Sequence, residues 1–104
     1  MDTNNPIIQE IITRIKTVYD PEIPVNIWDM GMIYDISVDA DMNAKILMTV
    51  TAPNCPVAES LPIDVKTAVE YVSKLKNVWV ELTFDPPWSP DLLSDEAKLE
   101  LGLL

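Results

Sequence analysis

Histidine is absent from this chain of 104 residues, cysteine occurs once, at Cys55, and glycine twice, at Gly31 and Gly102. Without imidazole there is no Ser-His-Asp or Cys-His nucleophile pair and no zinc site that depends on histidine. Two isolated glycines write neither a Walker-type phosphate loop nor a dinucleotide fingerprint. One cysteine makes no internal disulfide. A metal or cluster site of several thiolates therefore borrows ligands from a second copy, a partner protein or a small thiol, or uses carboxylates as hard oxygen ligands. Positive charge is also scarce: 7 basic residues stand against 17 acidic ones, a net charge of -10. With no dense Lys or Arg cluster to outweigh that field, phosphate backbones are repelled and nucleic acid is not an expected partner. The same field favours cations or basic protein surfaces, although an ordinary solvated acidic surface accounts for it more simply. No apolar run approaches the ~20 residues that span a bilayer, and no basic start leads into an apolar leader. The expectation is a cytoplasmic protein without membrane or export segments.

What is present reads as one packed domain over 1–104, since 48% of the residues are hydrophobic and no linker, repeat or low-complexity segment interrupts them. Ile7, Ile8, Ile11, Ile12, Ile15, Val18 and Tyr19 recur at helical spacing, and Asn5-Pro6 suits a helix start, which predicts an amphipathic helix over 6–19. Asp20-Pro21-Glu22-Ile23-Pro24 stops it. Met32, Tyr34, Ile36 and Val38 alternate, as do Ile46, Met48 and Val50, around a turn at 39–43, so a β-hairpin with one buried face follows. Leu61, Val65, Ala68, Val69 and Val72 form one helical stripe, with Pro62 marking an irregularity or a helix start near Leu61. Val78, Val80, Leu82 and Phe84 read as a third strand, and a short helix runs from a Ser94 cap toward Gly102. The helix between the second and third strands is a crossover that makes them parallel. The fold class is α+β: a two-layer α/β sandwich in the order helix-strand-strand-helix-strand, with a small mixed three-stranded sheet and a short C-terminal helix.

Cys55 sits where a strand passes into a helix, near free backbone N–H groups that favour thiolate, and Pro53 and Pro56 stiffen its loop. An isolated cysteine is more often a small buried hydrophobe. Asp20, Glu22 and Asp29 gather around a proline-stiffened loop and can supply metal oxygens if folding brings that loop to Cys55, whereas turn capping and solvated charge are the commoner uses of such acids. Thr49 and Thr51 share a strand face just before the cysteine, where ligand contact and plain β-propensity weigh equally. Trp79 points away from its strand's core set, and it and Trp88 are candidates for a partner surface, with packing under the C-terminal segment as the alternative.

Three ordered segments, DPEIPVNIWDMGMIYDISVD, TVTAPNCPVAESLP and DPPWSPDLLSDEAKLELGL, resemble the SufT-type, PaaD-like family of metal-sulfur cluster biosynthesis domains over nearly the whole chain from Asp20 to Leu103. The same domain is known in eukaryotic cytosolic iron-sulfur assembly components, in PaaD proteins and at the N-terminus of Mrp-type ATPases. The resemblance implies a fold shared with the C-terminal domain of NifU-type scaffolds. It marks as the characteristic site the DPE motif (Asp20, Pro21, Glu22), the D-x-G turn (Asp29, Gly31), the strand-end Thr51 and the APxCP loop with Asn54 and Cys55. Cys55 thereby becomes the expected metal ligand, with the others supporting it. The CxxC pair of NifU-type scaffolds is missing, so this chain is not expected to build a cluster by that route. Without a PaaD-type extension or an ATPase domain after Leu104, the expectation is a minimal SufT-like role.

The resemblance implies an accessory factor in iron-sulfur cluster assembly or protein maturation rather than an enzyme. It would hold iron or an iron-sulfur cluster transiently through Cys55, none being tightly bound. Its expected partners are iron-sulfur assembly proteins and apo client proteins, with a homodimer as one way to pair two thiolates. The alternative is an adaptor that docks clients to the assembly machinery without a metal of its own. A nucleophilic Cys55 enzyme is a third class, and without histidine it would need a carboxylate or lysine base.

Overall fold

The structure is a computed structural model and describes residues 2–19, 24–50 and 60–102. The first helix, α1, spans Pro6–Ile15. Asn5 caps it, its side-chain oxygen accepting from the Ile7 N–H at 2.9 Å, and Pro6 occupies the first turn, where its missing donor costs nothing. Ile8, Ile11 and Ile15 face inward. The helical spacing continues to Tyr19, but the helix does not. The Thr17 and Val18 amides turn back to the Arg14 and Ile15 carbonyls, and the Val18 carbonyl then accepts from the Ile27 N–H at 2.9 Å. A tertiary bond ends the helix before its periodicity does, and Val18 still reaches the core.

Strands β1 (Ile33–Val38) and β2 (Asn43–Met48) form the expected antiparallel hairpin, from Val38 opposite Ala44 to Ile33 opposite Met48, with a bulge between Ile33 and Asp35. Asp39 builds the turn. One carboxylate oxygen accepts from the amides of Asp41 and Asn43, both at 2.9 Å, and the other from the Asn43 side chain at 3.1 Å, while Met42 takes φ 65°. Helix α2, Ser60–Glu70, places Pro62 in its first turn and buries Leu61, Val65 and Val69. Strand β3, Asn77–Leu82, pairs parallel to β2 in unbroken register, from Asn43 opposite Asn77 to Met48 opposite Leu82. Phe84 lies past the end of β3 and is exposed, so it does not extend the inward set.

The sheet order is β1-β2-β3, the mixed sheet the crossover demands. Ile36, Ala44, Ile46, Met48 and Val78 point to the helices and join Ile11, Ile15, Val65 and Val69 in one core. The other face of the sheet carries Ser37, Lys45, Trp79 and Glu81 and meets solvent. A 3-10 turn at Pro90–Leu92 and helix α3, Asp95–Glu100, follow β3, with the Ser94 hydroxyl accepting from the Ala97 N–H at 3.1 Å. No helix among the described residues is long and apolar enough to cross a membrane.

Two predictions follow from this packing. Ile46→Ala, at a fully buried central-strand position, lowers unfolding stability by about 2–5 kcal/mol in a urea titration. Hydrogen bonds from Asn43, backbone first and side chain second, hold the Asp39 carboxyl below its ordinary 3.8. Because the folded-state pKa is the lower one, the turn's contribution is present above the unfolded pKa and is lost as pH falls through the folded one. Asp39→Ala should therefore be less stable than wild type at pH 7, and the gap should close as the pH is lowered through the carboxylate range.

Candidate functional site

Asp20, Glu22, Thr51, Asn54 and Cys55 lie outside the described residues, but the chain on either side of them is placed. Tyr19 and Asn26 form an antiparallel bridge, reinforced by the Ile27 to Val18 bond, so the 20–23 segment starts and ends at a closed neck. On the other side, pairing between β1 and β2 runs past the strand end: the Thr49 N–H donates to the Met32 carbonyl at 2.8 Å. The chain heading toward Cys55 thus departs alongside Met32, next in sequence to Gly31, and returns into α2 at Ser60. The fold brings the departure point of the cysteine segment to the D-x-G turn, a proximity that sequence alone leaves open.

That turn is built locally. The Asn26 side-chain oxygen accepts from the Asp29 N–H at 3.0 Å, and its amide nitrogen donates to Asp29 Oδ2 at 2.9 Å. Backbone bonds from Met30 to Asn26, Gly31 to Trp28 and Met32 to Ile27 complete one helical turn. Asn26 acts here as an N-cap does, and orients the half-buried Asp29 carboxylate. A shallow groove of about 280 Å³ beside it is lined by Tyr19, Pro24, Asn26, Asp29, Glu96 and Glu100 among others, so its surroundings are acidic. Among the described residues no group of three or more His, Cys, Asp or Glu can hold a metal ion.

Gly31 answers to a different need. Its φ is 75°, and a Cβ built there would stand 2.3 Å from the Leu92 carbonyl oxygen. Only glycine lets the C-terminal segment lie against the turn. The same segment takes two further bonds from the turn: the Ser94 N–H donates to the Asp29 carbonyl at 2.9 Å, and the Trp88 indole N–H to the Met30 carbonyl at 2.7 Å. Trp88 is half-buried against the core, whereas Trp79 is 71% exposed on the open sheet face. Thr49 is fully buried, its hydroxyl directed to the Val50 carbonyl at 3.3 Å, which suits packing rather than ligand contact. Asn26 and Leu92 escaped the sequence reading. Asn three residues before Asp is a capping spacing that could have flagged the first, while nothing local announces that Leu92 meets Gly31.

Residues 8–82 match the family model of iron-sulfur cluster assembly proteins. The chain is 49% identical to an Fe-S protein maturation auxiliary factor of Porphyromonas gingivalis, covering 97% of this chain and 99% of that protein. It is 35% identical to the Fe-S protein maturation auxiliary factor YitW of Bacillus subtilis over 91% and 93% of the two chains. Among solved structures, a domain of unknown function from Bacillus anthracis superposes with a TM-score of 0.88 at 33% identity, covering 94% of this chain and 93% of that one.

The clamp of the C-terminal segment on the turn is testable. Gly31→Ala should destabilise the protein by more than the ~1 kcal/mol of an unfavourable backbone alone, since the Leu92 backbone must also move. Trp88→Phe removes the bond to Met30 and should cost about 1–3 kcal/mol. Both are read from chemical denaturation, and in both the amides of 93–97 should lose hydrogen-exchange protection before those of the sheet.

Proposed function

Because the chain belongs to the family of iron-sulfur cluster assembly proteins, we propose that it is an auxiliary factor of iron-sulfur protein maturation that holds iron or a cluster through Cys55 and passes it to an apo client. The observation that supports this most is the near full-length match to proteins named as maturation auxiliary factors. Those proteins are named as auxiliary factors rather than as enzymes, and a carrier needs no turnover chemistry of its own. The cytoplasm, where unassembled clients and reduced thiols coexist, is the compartment this role calls for.

In this reading Cys55 is the metal ligand. Asp29, set by Asn26, and the acids Asp20 and Glu22 of the neighbouring loop assist, with Thr51 and Asn54 shaping the segment that presents the thiolate. A lone thiolate leaves the remaining coordination positions to a second copy, to the assembly partner or to the client. Open coordination suits exchange, because an incoming client cysteine can enter before Cys55 leaves, whereas a closed four-ligand site would retain the metal. The cluster is cargo here, and weak retention serves its delivery.

Anaerobic reconstitution with ferrous iron and sulfide tests the proposal. Wild type should gain iron and the absorbance of a thiolate-bound cluster, and Cys55→Ser should lose most of both. A stoichiometry below one site per chain would mark a site shared between copies. Equal binding by the two proteins would remove Cys55 from the site, and no binding by either would sink the carrier role and leave a metal-free adaptor.

A further inference from the structure

The two edges of the sheet are not alike. The β1 edge belongs to a strand distorted by the bulge between Ile33 and Asp35, a common device against unwanted pairing. β3 has no such device. Its six residues stay in continuous register with β2 and contain no proline, lysine or bulge. Among the described residues no segment pairs with its outer side. Such an edge offers a row of backbone donors and acceptors to any extended segment that can reach it.

The side chains around this edge are as exposed as its backbone. On the helix side, a groove of about 390 Å³ is lined by Pro62, Ile63, Lys66 and Val78 among others, with Ile63 65% exposed. On the open face, a groove of about 710 Å³ includes Asp39, Lys45, Trp79 and Glu81, with Trp79 71% exposed. Trp79 borders both grooves. A strand added at β3 would send alternate side chains to the two faces, so it would meet an apolar groove with one set and a tryptophan-bearing groove of mixed charge, with Asp39, Glu81 and Lys45, with the other. Lys45 pairs with Glu81 at 3.3 Å and stands opposite Trp79 in the sheet, while hydrogen bonds hold the Asp39 carboxyl below its ordinary value. An arginine or lysine placed over the Trp79 ring would find a π-face and these carboxylates together.

We infer that the outer edge of β3 is a docking site for an extended segment of a partner protein, apolar at the alternate positions that face α2 and basic at those that face Trp79. The net charge of -10 favours a basic partner and opposes a second copy of this chain in the same place. The inference rests on the maturation role only in that the protein works through partners, and it requires nothing of Cys55.

The probe is a capped eight-residue peptide of alternating arginine and valine, titrated into the whole protein and followed by amide NMR, with an alternating glutamate and valine peptide as control. The basic peptide should shift amides of 77–82 and the Trp79 indole, and slow hydrogen exchange along β3. Trp79→Ala, at an exposed position that leaves the fold intact, should weaken binding about tenfold, and Glu81→Lys should weaken it further. Cys55→Ser should bind as wild type does, so failure of the carrier role and failure of this site are separable. Equal binding of the acidic peptide, shifts centred away from β3, or no shifts at all would overturn the inference. So would concentration-dependent dimerisation through β3 in sedimentation equilibrium without peptide, which would assign the edge to a second copy.

Discussion

The close approach of the Leu92 carbonyl to Gly31 is the constraint on which one end of this molecule depends. An added Cβ would meet that oxygen at 2.3 Å, so the contact exists only because residue 31 is glycine in a left-handed conformation. Through it the C-terminal segment reaches the Met30 carbonyl with Trp88 and the Asp29 carbonyl with the Ser94 amide. The turn so clamped also leads directly into β1 and, through Met32, accepts the amide of Thr49 at the end of β2. Three segments distant in sequence therefore share one short stretch of backbone. The D-x-G motif is at once a candidate for chemistry and a structural joint. Packing by itself requires the glycine, and the aspartate is the half whose side chain is left for function.

The element order, the hairpin, the parallel crossover and the mixed sheet all follow from apolar periodicity and proline placement, because each of those signals is local. The end of α1 does not, since Val18 keeps helical spacing while its carbonyl is taken by Ile27. Phe84 keeps strand alternation yet falls past the last paired residue, Leu82. In both cases periodicity reports which side chains turn inward, and hydrogen bonds to remote segments decide where the element stops. The candidate site rests on resemblance more than on spacing. Of its residues Asp29 and Gly31 fall within the described structure, and there the partners that matter, Asn26 and Leu92, are the ones that residue type alone did not suggest.

The tryptophans show the same limit from another side. Trp79 and Trp88 are equally conspicuous in the sequence, yet one indole is hydrogen-bonded against the core and the other stands on an open sheet face. Alternation along β3 predicts the exposure of Trp79, since the strand's inward set is Val78, Val80 and Leu82. Nothing local predicts Trp88, whose partner lies 58 residues earlier. Counting aromatics locates hydrophobic surface without saying whether the fold itself or another molecule covers it.

Charge and thiol count together constrain how such a protein can act. A chain with one cysteine and no histidine cannot by itself enclose a soft metal in thiolate and imidazole ligands, and a net charge of -10 draws cations and basic surfaces over a distance. Those two properties separate recognition from ligation. In the proposed carrier role, long-range attraction and the β3 edge bring a partner in, while Cys55 would supply one exchangeable bond whose remaining ligands come from elsewhere. The chain returns from the cysteine segment into α2 at Ser60, just before Pro62 and Ile63 of the groove beside β3, so a client docked along that edge would lie near the point of return. Docking would then supply the specificity that a single exchangeable bond does not, which is what a carrier with weak ligation requires.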